Sequence, residues 1–239
     1  MIEAMTQPFQ ELQPGLFWIP GEAGWPAQFS AHSYIFAGEK GTVLIDPGCL
    51  THKEKLKQTF NKLRVNPNTI IVTHEHWDHM TAADYFPKSE KAASLHGIHA
   101  INRHDNEVVH HESHGILYSS IFTRALEDAE IIDLGNFKLE ILLTPGHTAG
   151  SLCVYEPTLK CLITGDTFFK PPMLSGIFES GSRAEHVRSL ERLFKLTSGR
   201  GVDMIYPGHG GFIEGRPDCL DAIEEALELA REDLGGTAN

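Results

Sequence analysis

The chain is short of several features that would mark other classes of protein. Only four of its 239 residues are cysteines (Cys49, Cys153, Cys161 and Cys219), and no two form a C-x-x-C pair. Their scatter argues against a disulfide framework and for buried free thiols in a reducing cytosol. No stretch approaches the ~20 consecutive apolar residues that span a bilayer. The first twelve residues are polar and lack the apolar core of a signal peptide, so a cytoplasmic location is expected. Positive charge is scarce as well. Lys and Arg number 20 against 32 Asp and Glu, a net charge of −12. Such a chain repels phosphate backbones and anionic membrane surfaces. Linkers and low-complexity segments are missing too. With 41% hydrophobic and 22% charged residues, the balance is that of a globular protein, and one domain over residues 1–239 is expected.

What is present alternates. Strand-length apolar runs rich in β-branched and aromatic residues lie at Gly15–Pro20, His32–Ala37, Thr42–Ile45, Thr69–Val72, Ala92–Leu95, Glu130–Leu134, Lys138–Leu143, Leu152–Tyr155, Cys161–Ile163 and Met204–Tyr206. Helical periodicity marks His52–Arg64, Ala184–Leu196 and Pro217–Leu234. Ser182 and Glu185 read as a capping box, and Pro217 suits a first helical position. Helices are also expected within 79–86, 97–104 and 113–126. The halves echo one another. Thr42–Asp46 leads through a helix to the strand before His74, and Cys161–Asp166 leads through a helix to the strand before His209. Strand, acid, helix, strand, histidine, twice over, suggests a pseudo-twofold sandwich with its polar residues at one edge.

Histidine is abundant, with 14 copies. The densest pattern is Thr73-His74-Glu75-His76-Trp77-Asp78-His79. In extended backbone His74 and His76 point the same way, because side chains alternate with period two. They can therefore share one metal, while Asp78 and His79, at the following turn, can face a second. Imidazole and carboxylate suit Zn²⁺, Fe²⁺ or Mn²⁺ better than thiophilic metals. The pattern is not H-E-x-x-H, since Asp78 stands where that motif needs histidine. His147, Asp166 and His209 each follow an apolar strand and sit among glycines, which allow sharp turns and close approach.

These residues resemble the metallo-β-lactamase superfamily, most of all its glyoxalase II-type single-domain hydrolases. The resemblance covers roughly Leu16 to Phe212 and includes Leu44-Ile-Asp-Pro-Gly48. It implies an α/β fold, the four-layer αβ/βα sandwich, with two metal ions at one edge. Zinc is expected first, with iron or manganese as alternatives. By position, His74, His76 and His147 would bind one ion and Asp78, His79 and His209 the other. Asp166 would bridge them together with a hydroxide that attacks a carbonyl. Asp78 and Asp166 are thus the expected catalytic carboxylates, with Asp78 also orienting the nucleophile. Asp46 would either support a ligand histidine or serve only as a turn residue. Several secreted β-lactamases carry cysteine at the position of Asp166, which speaks against antibiotics as the natural substrate.

The pocket is expected to lie under Asn102–Thr123, with Leu117, Tyr118, Ile121 and Phe122 facing either core or substrate, and under a loop carrying Trp25 and Phe29. Six histidines within 96–114 are too irregularly spaced for a third metal site. Lys170 reads as a solvated lysine ahead of a partner for a substrate carboxylate, and His186 as a surface residue. Only 30 residues follow His209 and read as one helix, where glyoxalase II carries a helical domain that helps hold glutathione, so glutathione recognition does not follow from the resemblance. The leading expectation is a hydrolase of a carboxylic thioester, ester or lactone. The rivals are an iron-dependent persulfide dioxygenase of the same fold, a nuclease, and a non-catalytic metal-binding sensor. The expected partner is a small-molecule substrate, with neither nucleic acid nor membrane, and a homodimer is left open.

Overall fold

Residues 8–24, 28–170 and 176–236 are described by a computed structural model. The strands are β1 (Gln10–Gln13), β2 (Leu16–Ile19), β3 (Glu22–Gly24), β4 (Gln28–Ser30), β5 (Ser33–Gly38), β6 (Gly41–Ile45), β7 (Thr69–Ile71), β8 (Glu90–Ala93) and β9 (Arg124–Ala125). Then come β10 (Ile131–Asp133), β11 (Lys138–Leu143), β12 (Leu152–Glu156), β13 (Cys161–Gly165), β14 (Met204–Pro207) and β15 (Ile213–Glu214). The α-helices are α1 (Lys53–Leu63), α2 (Trp77–Met80), α3 (Leu95–Asn102), α4 (Asn106–Val109), α5 (Arg183–Arg200) and α6 (Arg216–Gly236). None of them is long and apolar enough to cross a membrane.

Two sheets organise these elements, in the orders β1-β2-β5-β6-β7-β8-β9 and β10-β11-β12-β13-β14-β15. β3 and β4 form a separate hairpin. The period-two alternation of β-strands assigns each side chain to one face. Val43 and Ile45 of β6 join Ile71, Leu139, Val154 and Ile163 in a core between the two sheets. Leu44, between Val43 and Ile45, faces the other way with Ile70 and packs on Leu56 and Phe60 of α1 and Ile101 of α3. On the far side of the second sheet, Tyr155 and Leu162 pack on Leu190 and Leu193 of α5 and Ile223 of α6. The layers therefore run helix, sheet, sheet, helix, the αβ/βα sandwich expected from the sequence.

The echo between the halves has a topological basis. β6 pairs parallel with β7, and β13 pairs parallel with β14. In each pair the first strand ends at an aspartate, Asp46 or Asp166, and the second leads to a histidine, His74 or His209. Helix ends also follow local chemistry. The Ser182 hydroxyl accepts from the Glu185 N–H at 3.3 Å to start α5, and Gly201 at φ +84° ends it. All four cysteines are free and buried.

Some expectations are corrected. The strand expected at Ala92–Leu95 lies at Glu90–Ala93, because the Ser94 side chain caps the Gly97 N–H and turns Leu95 into the start of α3. No helix forms over 113–126. A 3-10 turn at Glu112–His114 leads through irregular backbone to β9. Asp84 holds this stretch by accepting from the N–H groups of Ser119 and Ser120, and Asn102 does so through both backbone groups of Phe122.

Candidate metal centre

Every predicted donor sits at the C-terminal end of a strand or just beyond it. His74 and His76 follow β7, and Asp78 and His79 lie in the short α2. His147 follows β11, Asp166 follows β13 and His209 follows β14. The structure brings all seven together, in three overlapping groups whose nitrogen and oxygen atoms lie within 4.8 Å of one another: His74, His76 and His147; His74, His79 and Asp166; and Asp78, His79 and His209.

The first group is an all-nitrogen trio. His74 Nε2 lies 2.9 Å from His76 Nδ1, and His147 Nε2 lies 3.1 Å from that same nitrogen. The tautomers follow from what the outer nitrogens touch. His147 Nδ1–H donates to the Gly176 carbonyl at 2.6 Å. The Thr73 hydroxyl donates to Asp46 Oδ2 at 2.8 Å, which leaves its oxygen to accept from His74 Nδ1–H at 3.2 Å. Both Nε2 atoms therefore aim lone pairs at His76 Nδ1, whose single hydrogen cannot satisfy both. A cation at the centre of the trio would. Burial lowers the pKa of all three imidazoles, His74 and His76 well below the usual value, so they are neutral, as ligands must be.

The second group mixes charges. His209 Nε2 lies 3.0 Å from Asp78 Oδ2, and His79 Nε2 lies 3.2 Å from Asp166 Oδ1. Burial alone would lower the pKa of His79 and His209, yet the nearby carboxylates, Asp166 foremost, raise both. Burial alone would raise Asp166 and Asp78, yet the charges of the same histidines hold both low. This half of the site is built to stabilise positive charge. His79 Nε2 and Asp166 Oδ1 are buried and meet as an ion pair without hydrogen-bond geometry to each other or to any other described residue, which fits donors reserved for an ion. The donor set as a whole, imidazole and carboxylate, suits two divalent cations.

A supporting shell fixes these groups. Asp46, at φ +49°, accepts from His79 Nδ1–H at 2.8 Å and from the Thr73 N–H at 2.7 Å. Glu75 points away from the donors between them and accepts from the Thr148 hydroxyl at 3.0 Å. That contact ties the His74–His76 segment to the loop carrying His147. Gly150 is required there, because a Cβ on it would lie 2.2 Å from Glu75 Oε2. Likewise a Cβ on Gly208 would meet Asp166 Oδ1 at 2.3 Å. His32 accepts from the Gly21 N–H and donates to the Gly210 carbonyl at 2.9 Å, bracing the turn after His209. Glu75 and His32 escaped the sequence reading. The alternation His-Glu-His could have shown that Glu75 faces away from the metals.

The pocket differs from expectation. A cavity of ≈ 550 Å³ over the donors is walled by Phe29, Trp77, His110, His114, Phe169 and Phe178. Tyr118 and Phe122 face the core instead, and the Tyr118 hydroxyl donates to the Ile101 carbonyl. Leu117 and Ile121 are exposed, Leu117 by 82%. Of the Asn102–Thr123 segment, His110, Ser113 and His114 reach the cavity. Trp25 lies outside the described residues. Lys170 is exposed and does not line the cavity. His186 is not a surface residue. It is 1% exposed and donates from Nε2 to the Thr167 carbonyl at 2.6 Å, because α5 begins against the loops that carry Asp166 and His147.

Comparison with known proteins is consistent with this geometry. The sequence profile of the metallo-beta-lactamase superfamily matches residues 27–209. A protein named as a probable metallo-hydrolase, from Methanocaldococcus jannaschii, is 33% identical over 193 residues, covering 76% of this chain and 88% of its own. An acyl-coenzyme A thioesterase of Bos taurus is 26% identical over 227 residues, covering 84% of this chain and 80% of its own. Among solved structures, a metallo-beta-lactamase family protein from Thermus thermophilus superposes with a TM-score of 0.78 at 20% identity, over 95% of this chain and 82% of its own. At that identity the likeness is one of fold.

Proposed function

The chain belongs to the metallo-β-lactamase superfamily, and from that premise we propose that it is a hydrolase that uses two divalent metal ions, zinc first, to cleave a carboxylic thioester, ester or lactone. The observation that carries this reading is the position of Asp166 between the two donor groups. Its Oδ2 lies 3.9 Å from His147 Nε2 and 3.8 Å from His209 Nε2, and its Oδ1 lies 3.2 Å from His79 Nε2. One carboxylate placed this way can serve both ions and offset their mutual repulsion.

When bound, two such ions supply a water acidified toward neutral pH and Lewis-acid polarisation of the substrate carbonyl. The residues of the chain do the remaining work. His74, His76 and His147 hold one ion with neutral nitrogens, and Asp78, His79 and His209 hold the other. Asp78, which lines the cavity, orients the attacking water. The aromatic walls keep bulk water from the reacting centre. The similarity to an acyl-coenzyme A thioesterase supports the thioester within this substrate class. The completeness of the second donor group supports two ions over the single iron of a dioxygenase.

The test is metal analysis coupled to a substrate panel. Protein reconstituted with zinc, iron or manganese is assayed by plasma mass spectrometry and against thioesters, lactones, aryl esters and a persulfide with an oxygen electrode. About two ions per chain are expected, with hydrolysis that chelation removes and metal restores. Saturation at one ion with oxygen uptake on the persulfide would overturn the reading.

A further inference from the structure

The cavity over the donors has a character the hydrolytic chemistry does not demand. Phe178 sits over the first donor group, its ring 4.7 Å from that of His76 and 5.1 Å from that of His147. The Phe178 N–H is bonded to the His147 carbonyl at 3.1 Å, so the wall is tied to the ligand loop. Phe29 stacks on His209 of the second group at 4.7 Å and 20°, with Phe169 edge-on to the same imidazole at 6.0 Å. Trp77 and His114, stacked at 4.2 Å, line the cavity as well. Apolar rings therefore flank the reacting centre on both sides, and Phe178, 40% exposed, stands at the mouth.

Charge is missing where a charged substrate would need it. No lysine or arginine lines the cavity among the described residues. Residues 25–27 and 171–175, which adjoin its walls in the sequence, carry no charged side chain, and Lys170, next to Phe169, is exposed and does not line the cavity. Among the described residues the side chain that pairs with His110 is acidic: Glu179 lies 3.4 Å from His110 Nε2. The ions themselves would be the positive charge there, and the scissile carbonyl and the attacking water would engage it. A substrate carboxylate elsewhere in the pocket loses its hydration and finds no guanidinium or ammonium in return. The net charge of −12 repels it from a distance as well.

We propose that the substrate is uncharged on both sides of its scissile carbonyl and carries an apolar, ring-sized acyl group that packs against Phe178 and Phe29. This rests on the hydrolase reading above and narrows it. Acyl groups ending in carboxylate, and leaving groups with a charge close to the carbonyl, are the ones the pocket rejects. A long leaving arm remains compatible if its charges lie beyond the mouth.

The experiment compares phenylacetyl and succinyl thioesters of N-acetylcysteamine, which share one neutral leaving group, on the zinc-loaded protein. A preference for phenylacetyl of about 100-fold in kcat/KM is expected. Phe178→Ala should lower phenylacetyl turnover about tenfold with zinc content unchanged, and Phe178→Lys should shift preference toward succinyl. Binding is read separately, by tryptophan fluorescence with ketone analogues in which a methylene replaces the thioester sulfur. Tighter binding of the phenylacetyl ketone without hydrolysis of any thioester would uphold the pocket assignment while sinking the hydrolase reading. Equal or better binding and turnover of the succinyl compounds, or binding of neither ketone, would overturn the proposal itself.

Discussion

His79 Nδ1–H donates to Asp46 Oδ2 at 2.8 Å, with both side chains buried. The same carboxylate accepts from the Thr73 hydroxyl and N–H, and Thr73 in turn accepts from His74 Nδ1–H. One aspartate thus sets the tautomer of a histidine in each donor group. Partners of this kind typically contribute 10–100-fold to metal affinity. Asp46→Asn keeps the shape and tolerates the left-handed backbone at φ +49°. It is expected to weaken metal binding by about that factor, most at the Asp78–His79–His209 group, while the fold persists. Competition with a chromophoric zinc chelator measures this. Two unchanged affinities would remove Asp46 from the support of the site.

Glu75 is expected to act on the opposite ion. Its carboxylate lies behind the donors, against Thr148 and Gly150, and therefore sets where the His147 loop sits relative to His74 and His76. Glu75→Ala removes the clamp and opens a buried space. Glu75→Gln retains size and an acceptor. The alanine variant should lose occupancy of the first group by about tenfold or more in affinity, with glutamine restoring most of it. Stepwise metal titration followed by calorimetry separates the two ions. Equal loss in both variants would mean that the charge of Glu75 matters rather than its grip.

His186 is expected to behave as a core residue. Its ring holds the Thr167 carbonyl, next to Asp166. A Cβ on Gly146, next to His147, would lie 2.5 Å from His186 Cα, so α5 packs directly on both ligand loops. His186→Ala leaves a cavity and removes the hydrogen bond to the Thr167 carbonyl, which together cost about 2–4 kcal/mol. Denaturant melts should show a lower midpoint with an unchanged slope. A midpoint like that of the starting protein would return His186 to the surface.

The first donors were legible because chemistry and period coincide in them. His74 and His76 lie two apart on extended backbone, which local pattern shows, whereas His147, Asp166 and His209 each follow a strand with glycine nearby and were assigned as donors by the family resemblance. The parallel pairs β6–β7 and β13–β14 lay behind the echo between the halves. The pocket was less legible. Tyr118 and Phe122 have the amphipathic spacing of a wall, but that spacing does not tell which apolar surface they meet, and Ile101 and Val109 claimed them for the core. Phe178 lies in a segment with no periodicity, and long-range bonds with His147, from the Phe178 N–H and to the Gly176 carbonyl, place it over the site. His186 sits on a helix rich in charge, and its burial depends on a long-range fit against Gly146 that no local window contains.

The last expectation concerns acid. His52 has a fully buried side chain whose Nε2 lies 3.5 Å from Glu22 Oε1, and neither ring nitrogen makes a hydrogen bond among the described residues. Its pKa is lowered to about 3, by burial first and then by the charge of Lys55. In the unfolded chain the same imidazole titrates near 6.5. Between these values the unfolded state holds a proton that the folded state does not, so stability rises with pH across the window and is lost as pH falls below 6.5. The limiting slope is about 1.4 kcal/mol per pH unit for one such group. His32, lowered to about 4 by burial, adds to it over the upper part of the window. Metal-free protein should therefore lose stability steeply from pH 6.5 to 4.5 in urea melts, and His52→Leu, which cannot take up the proton in either state, should flatten the dependence by roughly one group's share. Parallel pH profiles for the two proteins would show that His52 is protonated, or hydrated, in the folded state.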